Sequence, residues 1–373
     1  MRVAVMNNYQ AHLLDEPKPR GLRNIVANIE NMGNIMFLET ITRQLGATAV
    51  SAFLDLQRPE YMNEAFDVLV LPLANMISSV WTAHHDLLNA LDQLTIPIIV
   101  MSVGVQVGSA EELATFEISE GAKHILNFAK KTGTIIGTRG DISSQVLYDR
   151  GYTNVQTIGC PSIYYQPFEV RDIPEHPRIV THASLYGDPQ LVGNLLSFGV
   201  KYADAYIAQN EARFLVSRYN ILPEVYSTWT TNEHRLKELG NVHVPYEFYN
   251  DGQFSPEQLR QWIDTHIEFF TDIDMWIQYL RSFDLCVGTR YHGTVAALLA
   301  GTPSFLYTID MRTEELAKYH GIPHTPIDRI SSSTAVEDIR SLMDYSTFLD
   351  TLAIRKSEYV TYLSKHSLTL ETD

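Results

Sequence analysis

Short apolar runs rich in valine and isoleucine alternate with longer amphipathic segments along this chain, and this alternation constrains the fold more than any other feature. It is the pattern of βαβ units, in which helices cover a buried parallel sheet. The series starts again at Arg178, after a proline-containing stretch over residues 164–177. A chain of 373 residues, 45% of them hydrophobic, is long enough for two such units. The sequence therefore predicts an α/β protein with two Rossmann-like domains facing a cleft, over residues 1–170 and 171–373.

Turn residues and periodicity place the individual elements. The predicted strands cover residues 2–7, 47–53, 67–73, 96–103, 134–137, 155–158, 204–209, 224–227, 241–244, 284–287 and 303–307, with one more beginning at Arg178. The predicted helices of the first half cover residues 35–45, 83–94, 112–130 and 143–150. A linker is expected at residues 167–176, and an amphipathic helical segment at residues 335–366 that packs across the back of either domain.

Charge and cysteine content exclude several classes of function. The chain has 28 Lys+Arg against 44 Asp+Glu, a formal charge of -16, which repels nucleic acid and anionic lipid surfaces. No apolar run reaches the about 18 residues of a spanning helix. The two cysteines, Cys160 and Cys286, lie in apolar surroundings without metal-ligand spacing. We expect reduced structural thiols in a cytoplasmic protein.

The stretch DLCVGTRYHGTVAALLAG, residues 284–301, reads as a buried strand that leads directly into a helix of small residues. Ligands of open parallel sheets bind beyond the carboxyl ends of the strands. This corner places Arg290, Tyr291 and His292 at a helix entrance, where free N–H groups and the helix dipole attract anions. The guanidinium of Arg290 adds a fork suited to phosphate or carboxylate. The alternative is a salt bridge at Arg290 and a turn cap at His292.

A second corner has the same design. The predicted strand at residues 134–137 ends in Gly-Thr-Arg with Arg139, and Asp141 is placed as the N-cap of the next helix. Arg290 stands in an identical Gly-Thr-Arg setting in the second half. Two such arginines predict that one anion is held from both sides of the cleft.

The chain resembles the polysaccharide pyruvyl transferase family over roughly residues 31–324. The resemblance rests on NMGNIMF, SVGVQVG, TRGDISSQVLYDRG with IGCPS behind it, and above all GTRYHGTVAALLAGTP. Members of this family move pyruvate from phosphoenolpyruvate onto sugars as a cyclic ketal. The resemblance implies a transferase of cell-surface polysaccharide (exopolysaccharide) biosynthesis with a GT-B-like arrangement of its domains.

The resemblance also implies roles for individual residues. Arg139 corresponds to the family's donor-binding arginine, and Arg290 and His292 correspond to its R-x-H motif. Where the family usually has a lysine, this chain has Arg312, which keeps the charge but cannot exchange a proton. If the lysine is the proton source, activity suffers; if it only holds phosphate, Arg312 suffices.

Three further residues are candidates. Asn31 and Asn34 match a family segment in which aspartate is common at the second position, although both also suit helix entry and turns. His182 follows a strand and could contact an acceptor hydroxyl, with a structural role as the alternative.

The implied chemistry assigns a substrate and its partners. Phosphoenolpyruvate carries close to three negative charges, which Arg139, Arg290 and Arg312 would neutralise. Tyr291, Asn31 and Asn34 are further candidates for substrate binding. His292 is the general acid–base candidate, since an imidazole can give and take a proton near neutral pH. The scheme needs no metal or cofactor. The acceptor would be a sugar or lipid-linked oligosaccharide, and peripheral membrane association and homo-oligomerisation are left open.

Two alternatives remain at this point. A nucleotide-sugar glycosyltransferase of the two-Rossmann-domain type accounts equally well for the architecture and for Arg290. A non-catalytic relative that binds sugars or anions accounts for arginine in place of the usual lysine at position 312.

Overall fold

The computed structural model describes residues 1–7, 31–52, 55–81, 85–107, 110–184, 188–209, 236–239, 242–245 and 254–371, and it is an α/β fold with parallel sheets. The strands are β1 Val3–Met6, β2 Thr48–Val50, β3 Val68–Pro72, β4 Ile98–Met101, β5 Ile136–Thr138, β6 Val155–Thr157, β7 Ile179–His182, β8 Ala205–Ala208, β9 Leu236–Leu239, β10 Val242–Pro245, β11 Ile267–Phe269, β12 Leu285–Gly288, β13 Ser304–Thr308 and β14 His324–Pro326. The helices are α1 Met32–Gln44, α2 Pro59–Ala65, α3 His85–Asp92, α4 Ala110–Thr115, α5 Glu120–Thr132, α6 Asp141–Asp149, α7 Pro189–Tyr202, α8 Pro256–His266, α9 Ile273–Leu280, α10 Tyr291–Leu299, α11 Met311–His320, α12 Val336–Ser341 and α13 Ser346–Lys365.

The first half of the chain forms a sheet with the order β2-β1-β3-β4, in which neighbouring strands run parallel. A parallel bridge between Val103 and Thr138 then connects this sheet to the parallel pair β5-β6. The middle strands are uniformly buried, as expected for a sheet covered by helices on both faces. The carboxyl ends of β3, β4 and β5 therefore open on one edge.

The second half forms a six-stranded sheet with the order β11-β8-β7-β12-β13-β14, and all its pairs are parallel. Strand β12 lies between β7 and β13 and is fully buried. Helix α10 follows it closely because Gly288 and Gly293 leave no side chain between the turn and the ring of His182. The corner at Arg290 is thus held at the centre of the sheet.

The sequence pattern and the structure differ in several elements. The predicted helix at residues 112–130 is two helices, since Ser119 begins a new one by accepting the N–H of Ala122. The predicted strand at residues 241–244 pairs antiparallel with β9 in a separate hairpin. Asp141 is the first residue of α6 rather than its cap, and α10 begins at Tyr291 rather than near Gly293. The predicted strand at residues 224–227 lies outside the described residues.

The C-terminal segment packs on the first sheet. It is two helices, α12 and α13, and the phenol of Tyr362 on α13 lies within hydrogen-bond distance of the carbonyls of Val100 and Ile135, at 3.1 and 3.2 Å. The ring of Tyr362 also covers Gly137, where an added Cβ would meet it at 3.0 Å. The last helix thus returns across the first half of the chain. Within the described ranges, none of the helices combines the length and the apolar character needed to cross a membrane.

Candidate active site

An open cavity, with about 520 Å³ of empty space that includes solvent at its mouth, lies where the carboxyl edges of the two sheets meet. Both halves of the chain contribute to its wall, which includes most of the residues predicted from the sequence: Asn31, Asn34, Arg139, Arg290, Tyr291, His292 and Arg312. The two Gly-Thr-Arg corners therefore open on one cavity.

Arg139 is held rigidly by neutral groups. Its Nε donates to the carbonyl of Ser102 at 3.1 Å, and its Nη1 donates to the Oδ1 of Asn75 at 3.0 Å. The guanidinium lies over the ring of Phe37, with its carbon 4.9 Å from the ring centroid. Burial lowers the pKa of Arg139, and the nearby Arg312 lowers it further. A buried charge whose hydrogen bonds among the described residues go to neutral oxygens favours an anionic ligand.

The backbone around Arg139 adopts unusual dihedral angles. Ala74 and Ser102 have φ values of 33° and 53°, in a region that residues with side chains rarely occupy. The carbonyl of Ala74 accepts the N–H of Gly104 at 2.6 Å, and the carbonyl of Ser102 accepts Nε of Arg139. Such strain persists where the surroundings fix it, commonly at binding and catalytic sites.

Arg290 is the N-cap residue of α10 and is 8% exposed. Its Nε donates to the carbonyl of Ala183 at 2.8 Å, and its backbone N–H donates to Nδ1 of His182 at 3.2 Å. His182 is 1% exposed, and burial together with Arg290 lowers its pKa to about 3. His182 is not among the residues that line the cavity. It positions the Arg290 corner by accepting the backbone N–H of Arg290.

His292 lies in the wall of the cavity, and its ring is held from two sides. Its Nε2 is 3.4 Å from the Sγ of Cys160, a fully buried residue of the first half. Its Cβ and Nδ1 are so close to Gly33 that an added Cβ there would meet both at 3.0 Å. The pKa of His292 is well below its usual value, first because of burial and then because of Arg139 and Arg312. This shift favours the neutral form of the imidazole.

Arg312 lies in the first turn of α11, and its Nη2 donates to Oδ2 of Asp310 at 3.1 Å. Its Nε is buried and has no hydrogen-bond partner in the part of the chain that the structure describes. Asp310 also caps the helix by accepting the N–H of Thr313 at 2.8 Å. Arg312 therefore lines the cavity with one N–H donor that no described residue uses.

The N terminus of α1 enters the cavity from the first half. Asn31 caps this helix, since its Oδ1 accepts the N–H of Gly33 at 2.9 Å, so the capping interpretation holds for Asn31. Asn34 also lines the cavity. The N–H of Met32 donates to the carbonyl of Gln209 in the second half at 3.1 Å. These contacts connect the two halves at the rim of the site.

A buried carboxylate connects the two halves beside Arg139. Glu315 on α11 accepts the backbone N–H of Ser143 at 2.6 Å and its hydroxyl at 2.8 Å. Burial raises the pKa of Glu315. The side chain fills the space beside Gly140, where an added Cβ would lie 2.1 Å from Cγ of Glu315. The helix that carries Arg312 is thereby fixed against the corner that carries Arg139.

The N termini of α1, α10 and α11 all open on the cavity. Helix N termini attract anions through free N–H groups and the helix dipole. Three arginine side chains line the same space. The arrangement can neutralise a small, multiply charged anion and place a neutral imidazole beside it. Among the described residues, no group of three histidine, cysteine or carboxylate side chains is placed to hold a metal ion.

Several lining residues were not singled out from the sequence. They include Asn75, Ser184 and Gln209, each within three residues of the carboxyl end of a strand. The strand-end rule that identified Arg139 and Arg290 could have identified them too. The contact of Cys160 with His292 was also missed, because only the folded chain brings residues 132 positions apart together.

A family model for polysaccharide pyruvyl transferase matches residues 75–310. The chain belongs to the polysaccharide pyruvyl transferase family. The match includes Asn75, Arg139, Arg290 and His292, and it ends before Arg312. The R-x-H corner of this pyruvyl transferase family member is therefore part of the cavity wall.

No curated protein matches the chain. Among solved structures, this pyruvyl transferase family member is similar to the Anabaena protein HepE in complex with UDP and glucose, with 12% identity, a TM-score of 0.44, and 98% of this chain and 98% of that chain covered. It is also similar to the UDP-GlcNAc 2-epimerase of Neisseria meningitidis bound to UDP-GlcNAc, with 9% identity, a TM-score of 0.43, and 97% and 94% covered. Similarity at this level assigns neither a substrate nor a reaction to the chain.

Proposed function

We propose that this protein transfers pyruvate from phosphoenolpyruvate to a sugar as a ketal. The observation that carries the proposal is the convergence of Arg139, Arg290 and Arg312 on one cavity that also contains the imidazole of His292. Phosphoenolpyruvate offers a carboxylate and a phosphate on a three-carbon frame. A chain with a formal charge of -16 needs concentrated positive charge to bind such a donor, and this cavity supplies it.

The reaction requires proton transfer and two additions at one carbon. A proton is added to the methylene carbon of phosphoenolpyruvate, which makes the neighbouring carbon oxocarbenium-like. One sugar hydroxyl bonds to that carbon and loses its proton, the bond to the phosphate oxygen breaks and phosphate leaves, and a second hydroxyl closes the ketal. His292 is the group that gives and takes the proton, and the arginines hold the phosphate and carboxylate.

Donor choice is tested first by thermal unfolding with and without ligand. A ligand that binds only the folded state increases the free energy of unfolding, by about 2.7 kcal/mol when its concentration is 100 times its Kd. This gain in stability is observed as a higher Tm. Phosphoenolpyruvate should raise Tm, and UDP- or GDP-sugars should not. A shift with nucleotide sugars alone would contradict the proposal and support a glycosyltransferase.

Transfer itself is tested by phosphate release. The protein is incubated with phosphoenolpyruvate and candidate oligosaccharides, and phosphate is measured against reactions without acceptor. We expect acceptor-dependent release, together with a product that is heavier than the acceptor by one ketal-bound pyruvate. Binding of phosphoenolpyruvate without release, across acceptors of varied sugar composition, would instead indicate an anion-binding relative.

A further inference from the structure

The thiol of Cys160 lies directly behind the imidazole that faces the cavity. Its Sγ is 3.4 Å from Nε2 of His292, and Cys160 has no exposed surface. The cysteine belongs to the first half of the chain and the histidine to the second, so the contact joins the two sides of the cleft. A buried partner of one ring nitrogen determines which nitrogen carries the proton.

The hydrogen bonds of the thiol indicate the direction of this contact. A thiol has one proton, and the Sγ of Cys160 donates it to Oγ of Ser162 at 3.5 Å. Ser162 is itself fully buried and also accepts from Oγ1 of Thr40 at 3.1 Å. The sulfur is therefore left as an acceptor toward His292. Nε2 of His292 carries the ring proton and donates it to Sγ.

The other ring nitrogen of His292 is the one available to a substrate. Its Nδ1 accepts no hydrogen bond from any residue in the described part of the chain, and His292 lines the cavity. Gly33 lies close to this nitrogen, and the N–H of Gly33 is already donated to Oδ1 of Asn31. With the proton on Nε2, Nδ1 presents a lone pair.

We propose that Cys160 is a positioning residue that fixes the tautomer of His292, with Nε2 protonated and Nδ1 free to accept a proton from the acceptor hydroxyl. The chemical part of this inference rests on the proposed function. In it the ring, protonated also at Nδ1 once the phosphate is bound, gives that proton to the methylene carbon. Nδ1 then takes the proton of the acceptor hydroxyl as the hydroxyl oxygen bonds to the neighbouring carbon. The proton is shuttled, and no external acid is consumed in the first addition.

The tautomer is tested without any substrate, on the full-length protein with ¹⁵N-labelled histidine. Long-range ¹H–¹⁵N correlation spectra distinguish a protonated from a bare ring nitrogen, and the signals of His292 are assigned by their loss in His292→Gln. We expect bare Nδ1 and protonated Nε2 in the wild type. In Cys160→Ala we expect a mixture of the two tautomers. A wild-type spectrum with Nδ1 protonated would overturn the proposal, as would an unchanged tautomer in Cys160→Ala.

The matched control is Cys286, the other buried cysteine, which lies on β12 with 1% of its surface exposed. Cys286→Ala removes the same thiol from a core position and should leave the tautomer of His292 unchanged. A loss of the fixed tautomer in both variants would indicate general loosening and would overturn the specific role of Cys160.

Kinetics then connect the tautomer to turnover. Cys160→Ala should lower kcat about 10-fold, a part of the 10²–10⁴-fold supplied by general acid–base catalysis, with KM for phosphoenolpyruvate unchanged. Cys160→Ser keeps a polar hydrogen and lone pairs and should recover part of that loss. A raised KM with unchanged kcat would overturn the positioning role. If the wild type lacks transferase activity but shows the expected tautomer, only the proposed function fails.

Discussion

At the position of His292, burial and two arginines shift the imidazole in the same direction, toward its neutral form. A bound phosphate would bring negative charge into the same space and raise the pKa of the ring again. Under the proposed function, the pKa of His292 would therefore rise when the donor binds. This behaviour suits a residue that handles protons rather than one that only holds charge.

Replacement of His292 should separate binding from chemistry. We expect His292→Ala to retain much of the affinity for phosphoenolpyruvate, because the arginines remain, and to lose about 10²–10⁴-fold in turnover. Isothermal titration and phosphate release measure the two quantities. Turnover near that of the wild type with weakened donor binding would make His292 an anion ligand instead.

Replacement of Arg139 should have the opposite signature. Arg139→Ala removes a desolvated charge from the cavity wall and should weaken donor binding by about 2–5 kcal/mol. Arg150 is the matched control: its guanidinium also donates to backbone carbonyls and lies 4.6 Å from the centroid of a phenylalanine ring, but it is outside the cavity. Arg150→Ala should leave donor affinity unchanged. Equal losses in the two variants would show that Arg139 acts through stability alone.

Arg312 tests whether its position needs charge or a titratable group. Arg312→Lys keeps the positive charge near Asp310 and introduces the residue usual in the family, so donor binding and turnover should stay close to those of the wild type. Arg312→Gln should weaken donor binding. A large gain in turnover for the lysine variant would show that the position works best with a group that can exchange a proton.

At the scale of elements, helix α13 holds the first sheet through fully buried aromatic residues. Tyr362→Ala should destabilise the protein by about 3–5 kcal/mol, the range for deletion of a buried aromatic ring. Tyr362→Phe loses only a hydrogen bond to a sheet carbonyl and should cost about 1–3 kcal/mol. Val360→Ala is the control, because Val360 on the same helix is 40% exposed. Urea unfolding measures all three, and equal effects at positions 360 and 362 would contradict this packing.

Which elements were predictable follows from how local their causes are. The periodicity identifies those strands of the two main sheets that are buried apolar runs. The turns that follow these strands contain glycines or helix-capping residues, which can be recognised in the sequence. The break at Ser119 needed knowledge that its hydroxyl caps a helix, and the antiparallel pairing of β10 depends on β9, which has no apolar alternation. Short edge strands such as β11 and β14 form because a neighbour is available to pair with, which is a tertiary property.

The site divides in the same way. Arg139 and Arg290 were predictable because a Gly-Thr-Arg corner after a strand is a local pattern with one geometric outcome. The contact of Arg139 with the carbonyl of Ser102 could not be predicted, because it depends on a positive φ at Ser102, and a serine in this conformation has no sequence signal. Glu315 was equally hidden, because its partner Ser143 lies 172 residues earlier in the chain.

At the scale of the whole molecule, we propose a division into residues 1–170 and 171–373, with α13 of the second part packed on the sheet of the first. Three histidines lie in or near the junction: His182 and His320, which are buried, and His292, which is partly exposed to the cavity. Burial lowers the pKa of His182 and His320 to about 3 each, and that of His292 also falls well below its usual value. All three therefore bind a proton in the unfolded chain before they do so in the folded protein.

This difference predicts loss of stability in mild acid. As the pH falls below about 6.5, each such histidine lowers the free energy of unfolding by about 1.4 kcal/mol per pH unit, until the pH reaches the pKa of that histidine in the folded protein. Glu315 has a raised pKa, so its contribution to stability increases as the pH falls, opposite to that of the histidines. Each variant is therefore compared with the wild type at the same pH. His320→Gln keeps an acceptor for the N–H of Cys160 and should reduce the slope of unfolding free energy against pH between 6 and 4.5 by about one proton. An unchanged slope, measured by urea unfolding, would contradict this account.

The contact between Gly33 and His292 has a consequence for how this protein can diverge. A side chain at position 33 would press on the ring at 3.0 Å, and the ring cannot retreat because Cys160 lies behind it. Substitutions at these three positions are therefore not independent, although 259 residues separate the first from the last. Among descendants of one ancestor that keep the histidine, the glycine should be inherited with it. Lineages that gain a side chain at position 33 should be those in which the imidazole has been lost.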